Sequence, residues 1–245
     1  MERLEFFDCN ARIGTWAKPR PEHVTDVEGL LRVMDEVGIA RALVHHAWAV
    51  HWDAVEGNKA LLKEIQGQER LAPCLAVLPP ATGEMDAEEI ATACRELRGA
   101  ARAFPASHQW RLTPWCAEGL LCALAEARVP LFVEMTETSL DDVEATLCAF
   151  PDLPLILLNV GYRSDRYLYP LWQKGYNLMV GLETYEAFLA VEDVVARFGS
   201  EKLLFATGLP ASDPGAPIAL ITYAAVPHED KQKMAGGNLR KLLGR

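Results

Sequence analysis

The sequence alternates between short apolar segments and longer amphipathic segments along most of its length. The apolar segments have the length of β-strands and the others carry apolar residues at helical spacing, which gives about eight strand–helix units. Several predicted strands are continuous apolar runs, such as residues 155–158, which are typical of parallel strands buried on both faces. The pattern predicts an α/β protein whose single domain, residues 1–245, is a (β/α)₈ barrel, also called a TIM barrel.

The positions of the predicted elements indicate where a functional site would lie, because active sites of TIM barrels lie at the carboxyl ends of the strands. The predicted strands cover residues 4–8, 42–44, 71–78, 100–104, 131–134, 155–159, 178–182 and 203–207. The predicted helices cover residues 24–38, 58–66, 88–97, 114–127, 140–150, 167–174 and 187–198. Two short helices are predicted in the tail, where they could cover one end of the barrel.

The composition argues against several classes of partner. The net charge of −10 and the pI near 5.1 disfavour nucleic acid and anionic membranes, since both require a basic face. No segment is apolar and long enough to span a bilayer, and the amino terminus lacks the layout of a signal peptide. The six cysteines are scattered, without zinc-finger spacing. We therefore expect a cytoplasmic protein with no membrane partner, and the sequence leaves a homo-oligomer open.

Four segments resemble ordered motifs of the amidohydrolase-related (amidohydrolase 2) family of metal-dependent hydrolases. They are residues 129–134 (VPLFVE), 151–159 (PDLPLILLN), 198–210 (FGSEKLLFATGLP) and 229–243 (EDKQKMAGGNLRKLL). Each motif alone is short, but together they occur in the order and at the distances found in the family. The resemblance implies an amidohydrolase-like TIM barrel with a site at the carboxyl ends of its strands.

The positions of the family's metal ligands carry other residues in this chain. The resemblance places the two strand-one histidines at Asn10 and Arg12, the strand-five histidine at Glu134, the strand-six histidine at Asn159 and the strand-eight aspartate at Gly208. Zinc prefers imidazole and thiolate ligands, and a glycine offers no side chain. The resemblance therefore implies a divergent member with a degenerate metal site, and we predict no bound zinc and no cofactor.

A hard cation held by oxygen ligands is the alternative to a metal-free site, since Mg²⁺ and Ca²⁺ prefer such ligands. The candidate ligands are Asp8, Asn10, Glu134, Asn159 and Glu183.

The altered positions predict a site that binds an anion. Asn10 and Arg12 are two residues apart on an extended segment, so their side chains point to the same side. The guanidinium of Arg12 is positively charged and binds carboxylate or phosphate groups in a fork. Glu134 is the predicted general base, with His46 as its partner acid and Asn10 beside them. The alternative is that Arg12 and Glu134 only neutralise each other across the barrel.

Further side chains near the strand ends are candidates for substrate binding. Either His45 or His46 should face the barrel mouth, because alternate residues of a strand face opposite ways. His108 lies in a loop that suits either a lid or an ordinary surface loop, and Arg163 suits either an anion contact or a solvated pair with Asp165. The predicted substrate-binding residues are Arg12, Asn159, His108, Glu183, Arg163 and Thr207.

Two functional interpretations follow from these residues. The first is a hydrolase or lyase that acts on a small anionic metabolite without a metal ion. The second is a catalytically inactive relative that binds a metabolite or a partner protein. The sequence does not distinguish them, and it leaves the substrate and the reaction open.

Overall fold

A parallel sheet of eight strands in the order β1 to β8 forms the centre of the computed structural model, which describes residues 3–17 and 24–245. Each strand is parallel to the next. The strands are β1 (Phe6–Ile13), β2 (Ile39–His46), β3 (Leu71–Val77), β4 (Ala100–Ala103), β5 (Leu131–Glu134), β6 (Leu155–Leu158), β7 (Leu178–Gly181) and β8 (Leu203–Leu204). The predicted TIM-barrel fold is therefore confirmed.

The first and last strands approach each other and bring the two edges of the sheet together. The backbone amide of Cys9 donates to the carbonyl of Phe205 at 2.9 Å, and that of Gly208 donates to the carbonyl of Asn10 at 2.9 Å. Strand β1 extends to residue 13, whereas the apolar pattern predicted its end at residue 8. The extra residues include two polar ones, Asn10 and Arg12, which lie at the barrel mouth, and these interrupt the apolar pattern.

Helices alternate with the strands and cover the outside of the barrel. They are α1 (Val27–Val37), α2 (Ala47–His51), α3 (Ala54–Glu64), α4 (Ala87–Glu96), α5 (Pro114–Glu126), α6 (Leu140–Ala149), α7 (Asp165–Gln173), α8 (Ala190–Phe198), α9 (Gly215–Tyr223), α10 (His228–Gln232) and α11 (Asn238–Leu243). The sequence did not predict α9, whose first turn contains Pro217, a residue that is tolerated there because its missing N–H is not needed. None of the helices in the described ranges has the length and apolar character required to cross a membrane.

The core has two layers. Side chains that point outward from the strands pack under the helices in one large apolar cluster. Side chains that point inward, including Phe7, Phe132 and Ile156, fill the barrel interior. Leu239 and Leu243 of α11 join this interior cluster, so the tail covers the amino-terminal end of the barrel as the sequence suggested. The other end carries the polar groups.

Candidate active site

A buried arginine, Arg102, connects the polar side chains at the carboxyl ends of the strands. Its side chain is 1% exposed. One guanidinium nitrogen donates to Oδ1 of Asn10 at 2.8 Å, and the other donates to Oε1 of Glu134 at 2.5 Å. The guanidinium thus bridges β1 and β5, and it binds two residues that occupy the family's ligand positions.

The sequence analysis did not identify Arg102, although the local pattern contains a signal. Residues 100–103 read Ala-Ala-Arg-Ala, so a single charged residue interrupts an otherwise apolar strand. Alternate residues of a strand face opposite sides, and Ala100 belongs to the interior cluster. Arg102 therefore also points into the barrel, one layer above Ala100. A charged residue at an inward position of a buried strand is rarely without a partner, and here it has two.

An ion pair between Arg12 and Glu134 was the alternative to a ligand site, but the arginine that pairs with Glu134 is a different one. Glu134 forms its ion pair with Arg102, whereas the guanidinium of Arg12 lies over the ring of Trp16, with Cζ 3.0 Å from the ring centroid. Burial lowers the pKa of Arg12 to about 9 and Arg102 adds to this effect, while Glu134 opposes it. Arg12 is still protonated at pH 7, and its buried Nε has no hydrogen-bond partner among residues 3–17 and 24–245. It is a positive charge that is available to a ligand.

Asp8 and Thr207 lie below the hydrogen-bonded network of Arg102, Asn10 and Glu134 and support it. Oδ1 of Asp8 accepts hydrogen bonds from the backbone amides of Asn10 and Thr207, at 2.9 and 3.0 Å. The hydroxyl of Thr207 donates to Oδ2 of Asp8. Burial raises the pKa of Asp8 to about 6 in spite of these bonds. Thr207 is itself buried, so the structure places it as a partner of Asp8 and not at the open mouth.

Glu183 contributes a second buried carboxyl group. Its Oε1 accepts from the backbone amide of Asn159 at 2.7 Å and from the side chain of Asn10 at 3.3 Å, while the buried Oε2 has no partner. Burial raises the pKa of Glu183 to about 7, and the nearby charges of Glu134 and Asp8 raise it further. A Cβ atom at Gly181 would lie 2.3 Å from Oε2, so the absence of a side chain at residue 181 makes room for this carboxyl group.

The two adjacent histidines of β2 face opposite sides, and the inward one is His45. Its imidazole is buried against Phe104, and its Nδ1 has no hydrogen-bond partner. Burial lowers the pKa of His45 well below its ordinary value, and the charges of Arg102 and Arg12 act in the same direction. His45 is therefore neutral at pH 7. It lies close to the arginines of the mouth, where the sequence analysis had favoured His46.

His46 lies on the other side of β2, away from Glu134. Its Nδ1 accepts a hydrogen bond from the amide of Trp48 at 3.1 Å and caps α2, and its Nε2 lies 3.5 Å from Glu64. Gly14 packs against the imidazole with φ +88°, and a Cβ there would come within 2.6 Å of the ring. His46 does not lie beside Glu134, its predicted partner, because His45 is the histidine of β2 that points into the barrel.

Replacing His46 with alanine should therefore reduce stability without removing anion binding. The change deletes the cap of α2 and should lower the free energy of unfolding by about 1 kcal/mol or somewhat more. Urea unfolding measures this loss, and His46→Asn, which keeps a capping acceptor, should recover part of it. A folded His46→Ala variant that no longer binds small carboxylates would show that His46 takes part in anion binding.

The remaining predicted residues differ in their distance from the network. Asn159 follows β6 in a left-handed conformation, with φ 54°, and joins the network through its backbone amide. His108 does not share the hydrogen bonds of the network, since its Nε2 lies 3.3 Å from the carbonyl of Val50, but its ring contacts Phe104, which also contacts His45. Arg163 is exposed and lies over the ring of Tyr162. The structure thus brings Asn10, Arg12, Glu134, Asn159, Glu183 and Thr207 together, and it leaves His46, His108 and Arg163 outside.

The chain belongs to the Amidohydrolase family, whose profile matches residues 11–245. This match confirms the resemblance that was identified from the strand-end motifs. A search of curated proteins gave no match.

Solved structures with the same fold include several decarboxylases. The 5-carboxyvanillate decarboxylase from Sphingomonas paucimobilis is 16% identical with a TM-score of 0.76 over 99% of each chain. The 2,6-dihydroxybenzoate decarboxylase from Rhizobium is 13% identical with a TM-score of 0.75 over 99% of each chain. The 5-carboxyvanillate decarboxylase from Novosphingobium aromaticivorans, complexed with manganese and 4-hydroxy-3-methoxy-5-nitrobenzoic acid, is 15% identical with a TM-score of 0.78 over 99% of this chain and 96% of that chain. At these identities the similarity establishes the fold and not the reaction.

The side chains of this barrel do not fit the metal ion that the fold family implies. Within residues 3–17 and 24–245, no group of three or more His, Cys, Asp or Glu side chains is arranged to hold a metal. Asn10 and Glu134 are instead bonded to the guanidinium of Arg102, whose charge repels a cation. The oxygen-ligand alternative meets the same obstacle, and its Asp8 is engaged by Thr207.

Proposed function

We propose that this protein is a metal-independent lyase that removes carbon dioxide from a small aromatic carboxylic acid bearing a hydroxyl group on the neighbouring ring carbon. The observation that carries the proposal is the pair of guanidinium groups, Arg12 and Arg102, beside the carboxylate of Glu134. The Glu134 side chain is 27% exposed, so a ligand in the mouth can reach it. The solved decarboxylases support a reaction on a small acid, since their names give such substrates.

Unsatisfied polar atoms support a ligand at this mouth. Buried polar atoms without partners are uncommon in folded proteins. Among the described residues, four of them surround the mouth, namely Nε of Arg12, Nε of Arg102, Nδ1 of His45 and Oε2 of Glu183. A substrate carboxylate beside Arg12 would accept its free N–H, and charge-assisted bonds of this kind are stronger than neutral ones.

Glu134 is the proposed acid–base group. Its carboxylate accepts the proton of the substrate hydroxyl, which makes the adjacent ring carbon electron-rich. It then delivers this proton to the carbon that bears the carboxylate. The carbon–carbon bond breaks, its electron pair returns to the ring, and carbon dioxide leaves. The resulting oxyanion takes a proton from water, and Arg102 and Arg12 stabilise the negative charge throughout.

Substituting Arg12 with alanine should abolish stabilisation by small acids without unfolding the protein. A ligand that binds only the native state raises the melting temperature by mass action. The wild type should respond to 2,6-dihydroxybenzoate and to 5-carboxyvanillate, and Arg12→Ala should not. Arg12→Lys, which keeps the charge but not the fork, should respond weakly. An unchanged shift of the melting temperature in Arg12→Ala would show that Arg12 does not bind the acids.

The reaction itself is tested by measuring release of carbon dioxide in the presence of a chelator. Glu134→Gln should retain the thermal response to the acids and lose carbon dioxide release, because it keeps the shape of the side chain and removes the base. Activity that appears only after addition of Mn²⁺ would overturn the metal-independent mechanism. Activity that survives in Glu134→Gln would assign the proton transfer to another group.

A specific observation favours a second candidate function, a non-catalytic metabolite-binding protein. The bond of Glu134 to Arg102 already occupies one of its oxygens at 2.5 Å, and a base that is held in this way is less free to accept a proton. Binding of the acids to the wild type without any release of carbon dioxide would support this candidate.

A further inference from the structure

A basic cleft lies at the amino-terminal end of the barrel, opposite to the candidate active site. It has a volume of about 500 Å³ and lies between the ends of α4, α5 and α11. Gly99 and Pro130, which directly precede β4 and β5, form part of its wall. Four basic side chains line it, namely those of Arg95, Arg98, Arg128 and Lys241.

No carboxylate in the described part of the chain forms an ion pair with the four cations in this cleft, and the one carboxylate on its wall, Glu126, accepts a hydrogen bond from Cys122. Several basic side chains elsewhere do form ion pairs, as Arg70 does with Asp35 at 2.7 Å. The chain has ten more acidic than basic residues, so carboxylates are not scarce. What distinguishes this surface is that four cations without an ion pair line a single cleft.

More positive charge lies beside the cleft. Arg245 donates two hydrogen bonds to the carbonyls of Arg98 and Leu97, at 2.9 and 3.2 Å, which places its guanidinium at the end of α4. Burial lowers the pKa of Arg245, and repulsion by Arg41 and Arg98 lowers it further. Like charges are thus held close enough to destabilise one another, and an anion would relieve this repulsion.

The backbone gives an independent indication that two of these arginines are retained for more than stability. Arg98 and Arg128 follow the C-cap residues of α4 and α5, Leu97 and Ala127, in left-handed conformations, with φ 47° and φ 52°. Glycine is strongly favoured at this position, because a side chain is strained there. The chain uses glycine at the ends of other helices, as at Gly38, Gly175 and Gly244. A cation near a helix carboxyl end offsets the helix dipole, but that effect does not require the strained position.

We propose that this cleft is a binding site for a small polyanion that carries two or more phosphate groups, held by Arg95, Arg98, Arg128 and Lys241. Guanidinium groups bind phosphate oxygens in pairs of parallel hydrogen bonds. Several closely spaced cations match several linked phosphates better than a single carboxylate. A nucleic acid is the less suitable ligand, because the basic surface is confined to one cleft of an otherwise acidic protein.

Inorganic pyrophosphate is the probe, and its binding to the full chain is measured by titration calorimetry at low ionic strength. We expect one site per chain, with an affinity that falls as salt is added. The double variant Arg98→Gly/Arg128→Gly removes two cations and places glycine where the backbone favours it. Its melting temperature should be equal to or above that of the wild type, and its dissociation constant for pyrophosphate should rise by at least about tenfold.

Matched controls separate this site from general electrostatics and from the barrel mouth. Arg32→Gln, which removes an exposed charge on α1, should bind pyrophosphate as the wild type does, and so should Arg12→Ala. An equal loss of affinity in Arg32→Gln would overturn the proposal, as would an unchanged affinity in the double glycine variant or no binding by the wild type. The wild type could instead bind a single-stranded oligonucleotide more tightly than pyrophosphate, with this binding lost in the double variant. That result would overturn the proposal and identify a nucleic acid as the ligand of the cleft.

Discussion

Replacing Arg102 with methionine should lower the free energy of unfolding by about 3 kcal/mol, which is within the range for breaking one side of a buried ion pair. The substitution leaves Oδ1 of Asn10 without a donor and removes the charge that neutralises Glu134. Methionine fills most of the volume of the arginine, so the loss reports the missing polar partner rather than a cavity. Urea unfolding at neutral pH measures the change.

A double variant tests this explanation. Replacing Glu134 as well, in Arg102→Met/Glu134→Met, removes both charges and should recover much of the lost stability, because apolar replacements of buried ion pairs are often neutral or stabilising. Arg32→Met serves as the control for loss of an exposed arginine, and it should change stability by less than about 0.5 kcal/mol. An Arg102→Met variant as stable as the wild type would mean that Glu134 and Asn10 are satisfied by water, and that the network does not depend on the guanidinium.

The fold could be predicted because its determinants are local and repeated. Each apolar strand followed by an amphipathic helix is one unit of the barrel, and burial on both faces makes runs such as residues 155–158 conspicuous. The prediction was least accurate where polar or helix-breaking residues interrupt the apolar pattern. Strand β1 continues to residue 13 through Asn10 and Arg12, and α9 begins with glycine and contains Pro217, so neither resembles the usual pattern.

The candidate site could be predicted in part, since its position follows from the ends of the strands. Asn10 and Glu134 were assigned to one mouth, and the structure joins them through Arg102. Arg102 itself was missed because it does not stand at a ligand position of the family. The orientation of His45 depends on how β1 and β2 are aligned, and the pairing of β1 with β2 shifts between Asp8 and Ala11. Such a shift depends on packing between strands and leaves no signal in a single sequence.

The carboxyl group of Glu183 should make the protein less stable as the pH rises from about 4.5 to about 7. Its pKa is raised from 4.5 to about 7 in the folded protein, chiefly because the group is buried. Between these values the folded state binds more protons than the unfolded state, so the free energy of unfolding decreases with pH. The contribution is fully present below the unfolded pKa and is lost as the pH passes the folded pKa. The raised pKa corresponds to a loss of about 3 kcal/mol.

Glu183→Gln isolates this effect because glutamine keeps the shape of the side chain and does not titrate. The variant should have nearly the stability of the wild type at acidic pH and should exceed it by about 2–3 kcal/mol at pH 8. Urea unfolding across this range gives both curves, and Glu118→Gln controls for an exposed glutamate. The variant should still have a pH-dependent stability, because the pKa of Asp8 is also raised, to about 6, while the lowered pKa of His45 acts in the opposite direction. If the free energy of unfolding depended on pH in the same way in Glu183→Gln and in the wild type, the ionisation of Glu183 would not destabilise the folded state. The hydrogen bonds from Asn159 and Asn10 would then offset the effect of its burial.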